Sequence, residues 1–258
     1  MLLVMDVGNS NIKLGVFEGK KLLNSWRMHT SASRTSDEYG LSLINIIKHV
    51  GLSVDLIEGV AMSSVIPSLN YTLEHMVRFY IGKPLMIAGP GVKTGINIRY
   101  ENSREVGADR IVNSLAAHRL YGGPCIVIDF GTATTFNIIN DRGEFIGGPI
   151  CPGIRITADA LTKNAARLPK IELTRPDKVV CRNTVANMQS GIIYGFTGLV
   201  EYLVRRIKAE TGFSDAKVIG TGGFCELISA EEPVFDIIDK TLTLTGLRMM
   251  YELNSAER

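Results

Sequence analysis

The chain opens with three short apolar-rich runs, Leu2 to Val7, Ile12 to Phe17 and Leu22 to Met28. Gly8-Asn9-Ser10-Asn11 separates the first two, and Glu18-Gly19-Lys20-Lys21 separates the second and third. Gly, Asn and Ser are turn formers, so the pattern predicts an antiparallel meander of three strands. A dinucleotide-binding unit would instead pass from its first Gly-rich turn straight into a helix. The periodicity then changes. Ser36-Asp37-Glu38 offers N-capping chemistry ahead of Tyr39, Leu41, Leu43, Ile44, Ile46 and Ile47, which recur at helical spacing. Strands at Gly59–Ser63 and Pro84–Ala88, with a helix over Leu69–Tyr80 between them, continue an α/β alternation.

The opening pattern recurs. Val4-Met5-Asp6-Val7-Gly8-Asn9-Ser10-Asn11 has a counterpart in Val127-Ile128-Asp129-Phe130-Gly131-Thr132-Ala133-Thr134, 123 positions later in a chain of 258. Each copy runs apolar strand, Asp, apolar residue, Gly, small polar residues and second strand. Each then reaches a charged turn, Glu18-Gly19-Lys20 or Asp141-Arg142-Gly143-Glu144. Shared position within each half argues for duplication. The expected architecture is therefore two similar α/β domains, residues 1–120 and 121–258, with a cleft between them and a boundary near Leu120 to Pro124.

The second half adds a long helix over Asn183 to Glu210 and a last one over Thr245 to Leu253. Gly191, Gly195 and Gly198 sit at helical spacing on the long one. Small residues there permit close backbone approach, either within the chain or against a second copy.

Composition narrows the class. Hydrophobic residues make up 45% and charged residues 21%, as in a globular protein rather than a disordered one. A net charge of +2 gives no electrostatic reason to expect nucleic acid or an anionic membrane as partner. The start has no basic flank of a signal peptide, and the apolar stretch Gly191–Val200 is broken by three glycines before Glu201 closes it. Cys125, Cys151, Cys181 and Cys225 are 26, 30 and 44 positions apart and form no metal-ligand or redox pair spacing. The expectation is a cytoplasmic protein with free thiols and no membrane span.

Two segments carry the same chemistry. In Asp6-Val7-Gly8-Asn9-Ser10-Asn11, Gly8 lets the backbone approach a phosphate while amides and hydroxyls donate to it. Lys13 either adds a cation or faces solvent. Asp129-Phe130-Gly131-Thr132-Ala133-Thr134-Thr135 repeats the design with hydroxyls in place of amides. Two such hairpins suit two carboxylates holding a hydrated Mg²⁺ or another cation against nucleotide phosphates. In Gly107-Ala108-Asp109-Arg110, Asp109 reads as a helix N-cap or as a base for a substrate hydroxyl, beside an anion-binding Arg110. Gly147-Gly148-Pro149-Ile150-Cys151-Pro152-Gly153-Ile154 is a Gly/Pro-rich turn before a helix. Ile219-Gly220-Thr221-Gly222-Gly223 follows a strand over Ala216–Ile219 and opens a helix, as suits an adenosine or phosphate. By itself the paired-hairpin pattern fits a sugar kinase or a polyphosphate hydrolase equally well.

Taken together, DVGNSN (6–11), GADR (107–110), DFGTATT (129–135), GGPICPGI (147–154), NTVANMQSG (183–191) and GTGG (220–223) resemble the type III pantothenate kinases. Those enzymes belong to the acetate and sugar kinase/Hsc70/actin superfamily. The resemblance implies two actin-like (ribonuclease H-like) domains and ATP-dependent phosphorylation of pantothenate, the first step of coenzyme A synthesis. It implies ATP contacts from Asp6, Val7, Gly8, Asn9, Ser10, Asn11, Ile12 and Lys13, and from Thr132. Asp109 would be the proton acceptor, with Tyr100, Gly107, Ala108, Arg110 and Thr184 binding pantothenate. Asp129 would hold a monovalent cation, K⁺ or NH₄⁺, and Mg²⁺ would accompany ATP. Thr184 would reach the substrate across a homodimer interface. Ser10 stands where the family often has Thr, and Cys151 where it commonly has a small residue.

Overall fold

A computed structural model gives the fold, with residues 1–230 and 233–255 described. In chain order the elements are β1 (Leu2–Val7), β2 (Asn11–Glu18), β3 (Lys21–His29), α1 (Ser36–His49), β4 (Gly59–Ser64), α2 (Pro67–Tyr80), β5 (Leu85–Ile87), β6 (Asn97–Ile98) and α3 (Ala108–Tyr121). There follow β7 (Cys125–Phe130), β8 (Ala133–Ile139), β9 (Glu144–Gly147), β10 (Ile150–Pro152), α4 (Ile154–Asn164), α5 (Thr184–Thr211), β11 (Lys217–Gly222), α6 (Cys225–Ile228), β12 (Ile237–Ile238) and α7 (Leu242–Ser255).

The strands form two mixed sheets with one logic. The first has the order β3-β2-β1-β4-β5, the hairpin strands antiparallel and β1, β4 and β5 parallel. The second runs β12-β11-β7-β8-β9-β6, with β10 added beside β8. There β7, β8 and β9 are antiparallel, while β7, β11 and β12 are parallel. The repeat read from the two Asp-x-Gly segments is thus a repeat of whole topology, with β1 and β7 as equivalent central strands. The fold is mixed α/β, as expected.

Alternation along the central strands sorts their side chains. Leu3, Met5 and Val7 enter a core with Tyr39, Leu43 and Ile47 of α1 and Leu69, Leu73 and Met76 of α2. Val4 and Asp6 take the opposite face, where α7 packs on β1, β2 and β4. In the second sheet Ile126, Ile128 and Phe130 pack with Ile154 of α4 and with Met188, Ile192, Phe196 and Val200 of α5.

The compact units do not divide at one point. The first comprises Met1–Asn97, Glu101–Ala116 and the last helix from Leu242, and the second Ile98–Tyr100 and Ala117–Thr241. The single expected cut near Leu120–Pro124 differs from this because α7 returns to the first unit. Its Gly246 lies against Val112 of α3, and the guanidinium of Arg248 lies 5.8 Å from the ring of Phe17. Residues 231–232 and 256–258 of the expected second domain lie outside the described residues.

Smaller differences have local causes. The α1 cap is Thr35, not Ser36: Thr35 Oγ1 accepts from the Glu38 amide and Glu38 Oε2 accepts from the Thr35 amide at 2.7 Å. The Gly/Pro segment contains a strand, β10, because Ile150, Cys151 and Pro152 pair with Thr135, Thr134 and Ala133. Pro152 is tolerated at the end of so short a strand. Parallel pairing with β7 carries β11 on to Gly222, so the GTG residues lie within the strand, and α6 after them has four residues.

Cys125 and Cys225 are buried, and Cys151 and Cys181 are half-buried, all as free thiols. Burial pushes the thiols of Cys125 and Cys225 up to about 12, and Cys225 also donates to the Thr221 carbonyl at 2.9 Å. A thiol raised that far is about 1 part in 10,000 thiolate at pH 8. Titration of the native protein with a thiol reagent at pH 8 is expected to modify Cys181 first and Cys151 more slowly. Cys125 and Cys225 should react only on unfolding, which mass spectrometry of the labelled peptides would show.

Candidate functional site

In the first unit the chemistry gathers at the end of β1. Asp6 is paired across the strands with Lys13 of β2 and Ser63 of β4, so all three side chains project from one face. Ser63 Oγ donates to Asp6 Oδ1 at 2.9 Å, and Lys13 Nζ lies 3.6 Å from Asp6 Oδ2. Lys13 therefore does not simply face solvent: its side chain is 24% exposed, against 13% for Asp6. The β1–β2 turn closes through the Gly8 amide on the Asn11 carbonyl at 3.0 Å. Thr30 clips it from beside, its Oγ1 donating to the Gly8 carbonyl at 2.7 Å and its amide to the Ser10 carbonyl at 3.1 Å.

Within this segment the roles separate. Asn9, Ser10 and Asn11 are exposed, while Val7 and Ile12 are fully buried core residues. Val7 and Ile12 can therefore offer a ligand only main chain. Nothing in the sequence pattern points to Ser63 or Thr30. Neither sits in a motif, and both come to Asp6 and its turn through strand pairing.

The second unit repeats this geometry around Asp129, which pairs across strands with Thr135 of β8 and Thr221 of β11. Thr221 stands where Ser63 stands in the first unit. Its hydroxyl is fully buried and has no hydrogen-bond partner among the described residues. The charge of Asp129 adds to burial in raising the Cys225 thiol, so carboxylate and thiol feel one another. Gly131 is exposed and Thr132 half-buried at the turn, which closes through the Gly131 amide on the Ala133 carbonyl at 3.1 Å.

Gly153 backs that turn. A methyl group there would run into the carbonyl oxygen of Thr132, and would stand 2.8 Å from that of Gly131. Gly222 does the same from β11: its φ is +95°, and a side chain would meet the Phe130 carbonyl at 2.6 Å. Both glycines recognised in the sequence thus serve close approach of one backbone to another, beneath the Asp129 hairpin.

The GADR segment opens α3. The Gly107 carbonyl accepts from the Arg110 and Ile111 amides at 3.1 and 3.2 Å, so Gly107 occupies the capping position. Asp109 is the second residue of the helix, not its N-cap. Its carboxylate folds back over the Cα of Gly107, half-buried, with Arg110 nine-tenths buried beside it. Ala108 is half-buried in the same turn. A carboxylate in the first turn is also favoured by the helix dipole.

Tyr100 belongs to the second unit, 38% exposed, with its ring centroid 6.2 Å from that of Phe145. Thr184 is exposed at the first position of α5, behind the N-cap Asn183, whose Oδ1 accepts from the Ala186 amide at 2.8 Å. A separate open cavity of about 570 Å³ is lined by Glu201, Val204, Arg205, Lys208, Ser214 and Val234, none of them a candidate residue.

Two mixed sheets of the same order, each with a carboxylate near the end of its central strand, form an actin-like fold. Solved structures agree over nearly the whole chain. A Campylobacter jejuni protein described as a Baf family transcriptional activator is 20% identical, with a TM-score of 0.62 and coverage of 98% of this chain and 99% of that one. A Sinorhizobium meliloti protein described as a 2-dehydro-3-deoxygalactonokinase is 11% identical, with a TM-score of 0.59 over 98% and 96% of the two chains. An inorganic polyphosphate/ATP-glucomannokinase from Arthrobacter is 15% identical, with a TM-score of 0.50 over 100% and 99%. At such identities the likeness is one of fold. The type III pantothenate kinase family model matches residues 2–206, and the chain belongs to that family. It is thus a kinase of coenzyme A biosynthesis, with pantothenate as substrate. No helix among the described residues is long and apolar enough to cross a membrane.

The packing under the Asp129 turn yields a direct test. Gly153→Ala is expected to push the Gly131–Thr132 backbone aside and destabilise the protein by about 1–3 kcal/mol. Thermal melting should show a Tm lower by several degrees. An unchanged Tm would mean that the turn yields without cost.

Proposed function

We propose that the protein phosphorylates the pantothenate hydroxyl with ATP, giving 4'-phosphopantothenate, with Asp109 as proton acceptor. The family match over residues 2–206 carries this reading. The two Asp-x-Gly hairpins support it, because phosphoryl transfer needs positioned phosphates and neutralised charge more than covalent help from the protein.

In this reading Asp6 to Lys13 bind the ATP phosphates, Gly8 and the turn amides by backbone donation, and Asn9, Ser10 and Asn11 by side chain. Lys13 exchanges part of its attraction to Asp6 for phosphate oxygen. Thr132 contacts ATP from the second hairpin. Tyr100, Gly107, Ala108, Arg110 and Thr184 bind pantothenate, with Arg110 suited to the carboxylate of that substrate. Asp109 orients the hydroxyl toward the γ-phosphoryl group and accepts its proton as the new P–O bond forms and the bond to the bridging oxygen breaks, releasing ADP.

Asp129 holds the monovalent cation, K⁺ or NH₄⁺. The buried hydroxyl of Thr221, which has no hydrogen-bond partner among the described residues, completes a hard-oxygen donor set suited to such an ion. Bound there, the cation supplies positive charge beside the phosphates, as Mg²⁺ does on ATP itself. The setting of this reaction is the cytoplasm.

The protein acts as a homodimer in which Thr184 serves the partner's substrate. Thr184, Gly191, Gly195, Gly198 and Tyr202 fall within about 60° of one another around α5. The three glycines face open space, and Tyr202 is 51% exposed. The segment before α5 adds Val179 and Val180, 63% and 85% exposed, held to the helix by Ser190 Oγ donating to the Val179 carbonyl at 2.6 Å. An apolar, small-residue face of this kind suits a second α5.

A coupled ADP-release assay with ATP and Mg²⁺ tests the reaction. Release is expected to require pantothenate and to be faster in potassium than in sodium; release without pantothenate would identify a hydrolase. Asp109→Asn should lower kcat by about 10²–10⁴ while nucleotide binding, read by calorimetry, stays nearly unchanged. Equal loss of both would make Asp109 a structural residue of the helix start. For the dimer, sedimentation should find two copies, and Gly195→Arg should give a folded monomer with a raised KM for pantothenate. A fully active monomer would overturn the shared site.

A further inference from the structure

The chain enters the second unit for three residues only, Ile98 to Tyr100, between two stretches that belong to the first. So short an insertion has no core of its own, and specific contacts must fix its place. Pairing of β6 with β9 fixes its start, and Arg99 fixes the rest. Its amide donates to the Phe145 carbonyl at 2.8 Å, and its Nε and Nη2 reach Glu144 Oε1 at 2.9 and 2.8 Å.

This is more than a surface ion pair. The Arg99 side chain is 61% exposed, but that of Glu144 only 14%. The second Glu144 oxygen accepts from Asn140 Nδ2 at 2.8 Å, and Asn140 Oδ1 accepts from the amides of Arg142 and Glu144 at 3.0 and 2.9 Å. The β8–β9 turn therefore holds the carboxylate in place, and Arg99 attaches to it. Tyr100 follows immediately, its ring tilted 34° to that of Phe145 and lying over the open face of Gly147.

We propose that Glu144, acting through Arg99, is the positioning residue for Tyr100 and thereby sets the affinity for pantothenate. The proposal rests on the reading of Tyr100 as a substrate contact. Without the clasp, the β6–β9 pairing, the Arg99 amide bond to Phe145 and the ring contact are left to place Tyr100, and binding must then complete its ordering at an entropic cost. Asp109, on a helix of the first unit, is untouched. The signature is a raised KM for pantothenate with kcat and the KM for ATP unchanged.

Steady-state kinetics of Arg99→Ala, Glu144→Gln, their double variant and Tyr100→Ala test this. Arg99→Ala leaves the Glu144–Asn140 bond and the turn intact, so it separates the clasp from the hairpin. Each single clasp variant is expected to raise the KM for pantothenate about fivefold, and the double variant no further, since both remove one interaction. The Tm of Arg99→Ala should match the parent, because a side chain as exposed as Arg99 adds little stability through its ion pair. If Tyr100→Ala raises the KM while neither clasp variant does, the clasp fails and the reading of Tyr100 stands. An unchanged KM in Tyr100→Ala overturns that reading and the clasp with it. A fall in kcat and Tm for Glu144→Gln, with Arg99→Ala silent, would make Glu144 a turn residue only.

Discussion

The hydrogen bond from Ser63 to Asp6, 2.9 Å across a parallel strand pair, expresses the constraint on which the site depends. A carboxylate near the carboxyl end of a central strand is useful only if it is held, and each of its neighbours has a different origin. The antiparallel neighbour arrives through a turn of a few residues and brings Lys13 opposite Asp6. The parallel neighbour arrives after a helical crossover and brings Ser63. The mixed sheet thus puts a short-range and a long-range partner on the two sides of one side chain.

The second unit meets the same constraint with different residues. Thr135 and Thr221 flank Asp129 where Lys13 and Ser63 flank Asp6. A lysine in one unit and a threonine in the other change the electrostatics, since Lys13 partly neutralises Asp6 and no lysine takes that place beside Asp129. The two carboxylates thus sit in different electrostatic settings, the first beside a lysine and the second between two threonines. One topology carries two different pairs of cross-strand neighbours.

Backbone packing supports both turns from below. Gly153 and Gly222 lie against the carbonyls of Thr132 and Phe130, so the Asp129 hairpin rests on main chain rather than on side chains that change rotamer. Thr30 serves the first turn by bonding its carbonyls. Both arrangements fix the turn main chain in place, and a main chain held in this way would lower the ordering cost of binding an anion there.

The sequence by itself determined whatever depends on neighbours along the chain. The meander, the long helix from Thr184, the Asp-x-Gly turns and their recurrence follow from apolar periodicity and turn chemistry, which act over a few residues. The six motifs, taken together, also carried the family. Only the tertiary structure decided what depends on distant segments meeting. Ser63 and Thr221 join the carboxylates because parallel pairing brings strands from far along the chain side by side. Strand β10 exists because β8 offers it an edge, although its Pro and Gly neighbours read as a turn. The return of α7 to the first unit left no local mark, since burial against β1, β2 and β4 selects the partner surface and the helix pattern does not name it. The Arg99–Glu144 clasp is of the same kind: two ordinary charged residues, 45 positions apart, whose meeting is set by the fold.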